Sequence, residues 1–381
     1  MCASWHKSIV GVLVAIMISG CARSHSSQPD NSSVICLDVD LGNHNDLFSL
    51  REYVDKCELI PLKLNNDAVI GKIDQLIITD SFMIVNDSRL SDQIYAFDLN
   101  GCFFHFIGRK GRGPGEYIQP TDLAILDSVA VVMDMYSHKF LYYELSGKHL
   151  KDMSYRNKYH EIESDGKRLF AYAGDNRHNR KIKDYEFLCL NGYGDVYEAA
   201  LYNKDRLNYK VGYNIIGIDG NVYLSRALVP SVYCYDAGRG LYEKYRLNFS
   251  PNPLPSDFER NCKGDFAYFI DNYRNQHSCF AGNFWETERY IGFKAENKGQ
   301  PYLVMYDKED KAFEIGKVGV WADGNNKRMT DVVHLLPLGL NNLVTVRNDV
   351  LYCVLDANDL ALYNLDNECG ANHIVVRIFL K

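Results

Sequence analysis

Two neighbouring stretches of this chain carry nearly the same pattern, and that repetition limits the fold more than any other feature. LIITDSFMIVNDSRLSDQIYAFDLNGCFFHFIG (76–108) and LAILDSVAVVMDMYSHKFLYYELSGKHLKDM (123–153) share one order. Each reads apolar strand, Asp-Ser turn, apolar strand ending in Asp, polar loop, aromatic strand, Gly turn, further strand. Gly101 and Gly147 stand 46 residues apart, and the turn residues Asp80 and Asp127 stand 47 apart. Each unit therefore predicts four short antiparallel strands joined by tight turns.

Weaker copies follow. HEIESDGKRLFAYAG turns at Asp165-Gly166, NIIGIDGNVYLSRA at Asp219-Gly220, NFWETERYIGFKA near Glu286-Thr287-Glu288, and HLLPLGLNNLVTVRND at Asn341-Asn342. Four strands repeated every 40–50 residues or so is the signature of a β-propeller blade. Six such hairpins predict an all-β, six-bladed β-propeller, with seven blades as the competing count. The 27 Tyr and 18 Phe suit pleated, half-buried surfaces. KCELIPLKL near the start and NHIVVRIFLK at the end belong to no complete unit. The N-terminal strand is therefore expected to complete the last blade, leaving only short protected edges. A polar, partly helical stretch at about 251–283 reads as an insertion.

The first residues have another task. One Lys, the apolar run SIVGVLVAIMIS and the small residues Ser19-Gly20 before Cys21 form a secretory leader, residues 1–20, too short to span a membrane comfortably. Ser19-Gly20-Cys21 resembles a bacterial lipobox, although Ile18 stands where Leu is commonest. Cys21 is then the lipidated first residue of the mature protein, residues 21–35 are a polar tether, and 36–381 are the propeller. Eleven Cys leave nine after Cys2 and Cys21, an odd number without C-x-x-C, so neither a disulfide framework nor a zinc site is indicated. A single Cys262–Cys279 bridge stays open in an oxidising envelope compartment.

IGRKGRGPGEYIQPTDL (107–123) concentrates glycine and positive charge. A phosphate loop requires Gly-Lys-Ser/Thr opening a helix, and this stretch supplies neither. Within the repeat it is the crossover from the outer strand of one blade to the inner strand of the next. Crossovers share a face with the loops between second and third strands. That face gathers Arg89, Arg109, Lys110, Arg112, Glu116, Tyr117, Asp134, Tyr136 and His138, the candidate residues for a small polar or anionic ligand. An anion-binding nest of backbone N–H groups is the second reading of the crossover. Glu286, on or beside an inner strand, faces either the channel or a neighbouring cation.

Other chemistry finds little footing. There is no H-E-x-x-H and no G-x-S-x-G, and Asp38-x-Asp40 begins an EF-hand pattern that Gly42 and Ser49 break. His105, His138 and His334 read as isolated side chains. A divalent metal held on the axis by several inner strands leaves no local motif and stays open; no other cofactor is expected. A net charge of −7 argues against nucleic acid, and the basic-aromatic runs YRNKYHE and NRHNRKIKDYE read as solvated blade edges.

ELIPLKLNNDAVIGKIDQLIITDSFMIVND, YAFDLNG, FIGRKGRGPGEY, FWETERY and the terminal IVVRIFLK together resemble the six-bladed β-propeller lipoproteins of Bacteroidetes, distant relatives of NHL-repeat proteins. The resemblance runs from about residue 57 to the C-terminus and is weaker over 150–210. It implies a fold and a lipid-anchored place in the cell envelope, but no activity; Ala22 after Cys21 and the lack of acidic residues in ARSHSS point to the outer membrane, facing the periplasm. The expected function is a non-catalytic module binding a ligand or an envelope protein. The alternative is a metal-dependent hydrolase or lyase acting on a sugar-like or lactone-like substrate at the axis.

Overall fold

The computed structural model describes residues 34–50, 52–64, 69–174, 176, 179–207, 213–318, 344–362 and 373–381. The leader, Cys21 and His334 lie outside them, as does most of the tether. Two strands precede the ring, β1 (Ile35–Asp40) and β2 (Val54–Pro61). Blade one is β3 (Gln75–Ile78), β4 (Met83–Asp87), β5 (Gln93–Phe97) and β6 (Phe103–Phe106). Blade two is β7 (Asp122–Leu126), β8 (Val129–Asp134), β9 (Lys139–Glu144) and β10 (His149–Ser154). Blade three is β11 (Tyr159–Ser164), β12 (Leu169–Ala173), β13 (Tyr185–Leu190) and β14 (Val196–Tyr202). Blade four is β15 (Ile215–Ile218), β16 (Asn221–Ser225), β17 (Ser231–Asp236) and β18 (Gly240–Ser250). Blade five is β19 (Ser278–Glu286), β20 (Tyr290–Asn297), β21 (Gln300–Asp307) and β22 (Ala312–Lys317). Blade six takes β23 (Val344–Arg347), β24 (Val350–Asp356) and β25 (His373–Leu380) from the C-terminus and β2 from the N-terminus.

The protein is thus an all-β, six-bladed propeller, closed as the sequence predicts. β2 pairs antiparallel with β25 from Val54 opposite Leu380 to Pro61 opposite Ile374. The repeat explains why β2 works as a fourth strand. Gly101 and Gly147 both hold positive φ, +84° and +86°. A Cβ on Gly101 would lie 2.3 Å from the Pro61 carbonyl of β2, and one on Gly147 2.6 Å from the Phe106 carbonyl of β6. Each glycine presses its turn onto the outer strand of the preceding blade, and only glycine permits that approach. For blade one, the preceding outer strand is β2.

The inner hairpins follow their turn chemistry. Asp127-Ser128, Asp219-Gly220 and Asn348-Asp349 are two-residue turns with positive φ at both positions, the geometry of type I′. The last of these corrects an expectation. Blade six turns at Asn348-Asp349, so VTVR (344–347) supplies its first strand, whereas the sequence reading placed the turn at Asn341-Asn342, which lies outside the described residues. Both dipeptides are good turn formers, and an apolar strand between them fits either hairpin.

Between blades, aromatic side chains form the packing layers. Phe140 of blade two stacks on Tyr159 of blade three at 5.9 Å, and Phe170 of blade three meets Tyr235 of blade four at 4.7 Å. Second strands such as β4 and β12 are buried throughout, whereas outer strands such as β6 expose alternate residues.

The sequence gives no sign of β1's position. It adds to the outer edge of blade four in parallel with β18, seating Leu37 and Val39 in the core. The chain then crosses the edge of blade five, where Phe48 N–H donates to the Lys317 carbonyl at 3.1 Å, and continues into β2. Residues 35–61 therefore form a belt over the rims of blades four, five and six.

Residues 251–277 carry α1 (Phe258–Cys262) and α2 (Phe266–Phe269), the latter continuing as a π turn over Ile270–Arg274. β19 begins at Ser278, so its first six residues come from the stretch that reads as insertion. Cys262 and Cys279 lie together in a small core under these helices as free thiols. A third short helix, α3 (Ala357–Leu362), follows β24. No helix among the described residues is long and apolar enough to cross a membrane.

Candidate functional site

The six inner strands surround an axial cavity of about 890 Å³. An inner strand has no neighbour on its axial side, so its backbone groups there need other partners. Side chains provide them. Gln75 Nε2 donates to the Leu123 carbonyl at 2.7 Å, and Asp122 accepts from Ile162 N–H at 2.7 Å. Glu161 accepts from the backbone N–H groups of Asn214 and Ile215 at 2.7 and 3.1 Å. Each link joins one blade to the next, so the cavity wall is tied by hydrogen bonds from blade one to blade four.

Glu163 continues this ladder but also faces the cavity. Its two oxygens accept from Ser164 N–H and Gly217 N–H, both at 2.8 Å. A Cβ on residue 217 would sit 2.9 Å from the Glu163 carboxyl carbon, so Gly217 is what admits this side chain. Burial pushes the Glu163 pKa up to about 7; the backbone donors oppose the rise and neighbouring Glu161 adds to it. No Lys, Arg or His pairs with it among the described residues.

The two ends of the cavity differ. At the crossover end, Tyr213 stands before blade four and its hydroxyl reaches the Asp74 carbonyl of blade one, on the opposite side of the ring, at 3.0 Å. Asp74 also pairs with Arg89 at 3.0 Å and accepts from the Ser88 hydroxyl at 2.9 Å. At the turn end, Arg347 pairs with Asp80 at 2.7 Å, and Asp219 accepts from Asn348 N–H at 2.7 Å. Among the described residues no three His, Cys, Asp or Glu side chains converge as metal ligands.

A family model described as a domain of unknown function, DUF4934, matches residues 33–369. The chain is a DUF4934 protein. No curated protein matches it in sequence. Among solved structures, a Bacteroides fragilis protein described as exported superposes with a TM-score of 0.73 at 17% identity, covering 91% of this chain and all of that one. A DUF4221 family member from Bacteroides vulgatus gives 0.52 at 11% identity, over 89% of this chain and 99% of that one. These likenesses concern the fold.

Of the crossover-face candidates in this DUF4934 chain, only Arg89 lines the cavity. Glu116 ties the glycine-rich crossover together, accepting from Gly113 N–H at 2.8 Å and pairing with Arg109 at 2.7 Å. A Cβ on Gly111 would meet the Glu116 carboxylate at 2.0 Å, which accounts for that glycine. Lys110 pairs with Asp92, while Arg112 and Tyr136 are exposed. Tyr117 is fully buried and donates to the Ile107 carbonyl at 3.0 Å. Asp134 is equally buried, accepting from Ile118 N–H at 2.7 Å, Tyr136 N–H at 3.0 Å and the Ser137 hydroxyl at 2.7 Å. His138 packs edge-on against Tyr155 at 5.7 Å, and His105 bonds the Leu145 carbonyl at 2.8 Å.

Glu286 sits apart, off the axis between blades four and five. Lys244 and Lys308 each approach it at 3.0 Å, and the Tyr245 hydroxyl donates to it at 2.6 Å. Burial opposes its ionisation, but these neighbours outweigh burial and hold its pKa below the usual carboxylate range. Sequence reading missed Glu163, Gly217 and Tyr213. One signal was available: Glu161 and Glu163 alternate on a single face of an inner strand, in a place where apolar residues are expected.

Proposed function

We propose that this chain is an exported, lipid-anchored binding protein of the cell envelope that holds a small ligand in its axial cavity without converting it. The observation that carries the reading is the cavity itself. At about 890 Å³ it falls in the range of small-molecule sites, and its wall is polar and apolar in about equal parts. Its described lining contains no His and no Cys, and no hydroxyl nucleophile is hydrogen-bonded to a side-chain base there. The axial metal required by the hydrolase or lyase alternative finds no ligand set among the described residues. Anchoring rests on the lipobox at Cys21.

Thr345 lines the cavity from β23. Thr345→Trp is expected to fill the space while leaving the blades intact. In a thermal-denaturation screen of amines, sugars and organic acids, at least one class should raise the wild-type midpoint by about 2 °C or more, as saturating ligands do. The same compound should leave the variant unshifted. If no class stabilises wild type, or if Thr345→Trp responds equally, the cavity is not the site.

A further inference from the structure

Resting on that cavity-binding reading, we infer that the ligand is an organic cation, an apolar body bearing a protonated amine whose ammonium group docks at Glu163. Three observations point the same way.

The first is charge. Among the described residues, six carboxylates line the cavity, those of Asp74, Asp80, Asp127, Glu163, Asp165 and Asp219, against the three cations Lys72, Arg89 and Arg347. Arg89 is taken by Asp74 and Arg347 by Asp80, while Asp165 holds Arg168 from outside the cavity. Asp127, Glu163 and Asp219 have no side-chain cation among the described residues. The excess negative charge is therefore concentrated on the blade-two, -three and -four side of the axis.

The second is the placing of Glu163. Glu163 is half-buried, and a carboxylate with reduced access to water gains from a positive charge or from hydrogen bonds. Its two backbone donors occupy one acceptor direction on each oxygen. Each carboxylate oxygen offers about two such directions, so acceptor capacity remains. The two donors also fix the plane of the group, and room for its side chain depends on Gly217. This carboxylate is held in place without a counter-ion of its own among the described residues.

The third is the surrounding wall. Ile77, Ile125 and Ile216 are partly exposed along the cavity, and Phe284 contributes from blade five. These apolar residues, in the same cavity as the Glu163 carboxylate, suit a hydrocarbon body ending in an ammonium. A bare metal ion would need three or more ligands converging on one point, and the described carboxylates do not converge. A polyol would leave Glu163 facing neutral hydroxyls and the isoleucines facing polar edges.

The test is calorimetric titration of the purified protein at pH 8 with three probes of similar shape and different charge: 2-phenylethylamine, 2-phenylethanol and 3-phenylpropionate. The amine should bind at least tenfold more tightly than the alcohol, and the carboxylate should not bind. Glu163→Gln, checked for folding by thermal denaturation, should abolish the preference for the amine. Comparison of the three probes on wild type stands even if that variant fails to fold. Binding of the alcohol or the carboxylate as tight as that of the amine overturns the inference but leaves the cavity reading intact. Retention of the amine preference by Glu163→Gln overturns it as well. If none of the three binds, the inference falls, and the Thr345→Trp screen alone decides whether the cavity is a site.

Discussion

Glu163 makes a pH signature expected of this molecule. Its pKa is about 7 in the folded chain, against an ordinary value near 4.5, with burial the main cause. Between those values the folded state keeps a proton that the unfolded chain has released. Stability from this group is therefore greatest below about pH 4.5 and declines as pH rises through 7, by about 3 kcal/mol at most. Urea denaturation at pH 5, 6, 7 and 8 should show this decline in wild type and a shallower one in Glu163→Gln. The variant also leaves either Ser164 N–H or Gly217 N–H facing an amide NH₂, at a cost of about 1 kcal/mol at every pH. An identical slope in the two proteins would show that Glu163 is not the titrating group. The sequence displayed such residues unevenly. Asp87 and Asp134 were visible as a repeated Asp closing the second strand. Their shared task emerges only in three dimensions: Asp87 accepts from Gly71 N–H and Asp134 from Ile118 N–H, each pinning the crossover that arrives from the previous blade. A side chain that serves backbone far away in sequence leaves no local mark. The same holds for Tyr213 and for Glu163.

Among elements, the helical insertion depends on one buried ionic group. Arg226, at the end of β16, holds Glu259 of α1 through two hydrogen bonds of 2.6 and 2.9 Å and meets Glu186 of β13 at 3.0 Å. Glu259 also accepts from Leu207 N–H at 2.9 Å and from Asn203 Nδ2 at 3.1 Å. Removing Glu259 leaves Arg226 with Glu186 alone and strands two guanidinium N–H groups and Leu207 N–H, so Glu259→Ala should destabilise by about 2–4 kcal/mol. The damage should be local. Limited proteolysis is expected to cut within 251–277 in the variant well before wild type, and equal cutting rates would mean that the ion pair does not dock the insertion. The hairpins were the legible elements because period-two alternation and Asp-Gly turns are local signals. The start of β19 was not, since SCFAGNFWE carries two register irregularities against β20 that disrupt its alternation. β1 was illegible for a different reason. Its partner lies about 210 residues away and runs parallel, a relation no short-range pattern encodes.

For the whole molecule, the proposed membrane attachment has the plainest test. Cys21→Ser should move the protein from the membrane fraction to the soluble fraction of lysed cells and abolish labelling with radioactive palmitate; a variant that stays in the membrane fraction would leave Cys21 without its proposed role. The ring was readable because a blade is a repeated sentence, and repetition survives sequence drift that hides any one copy. The belt across blades four to six was not readable, yet it governs how the molecule comes into being. β2 is made well before β25, the strand that must lie beside it, with five blades between them in sequence. Loop closure over almost the whole chain comes last and slowest. Ile60 and its neighbours therefore stay unsheltered until β25 has been made, and a polypeptide lacking β25 would leave β2 without the strand that covers it.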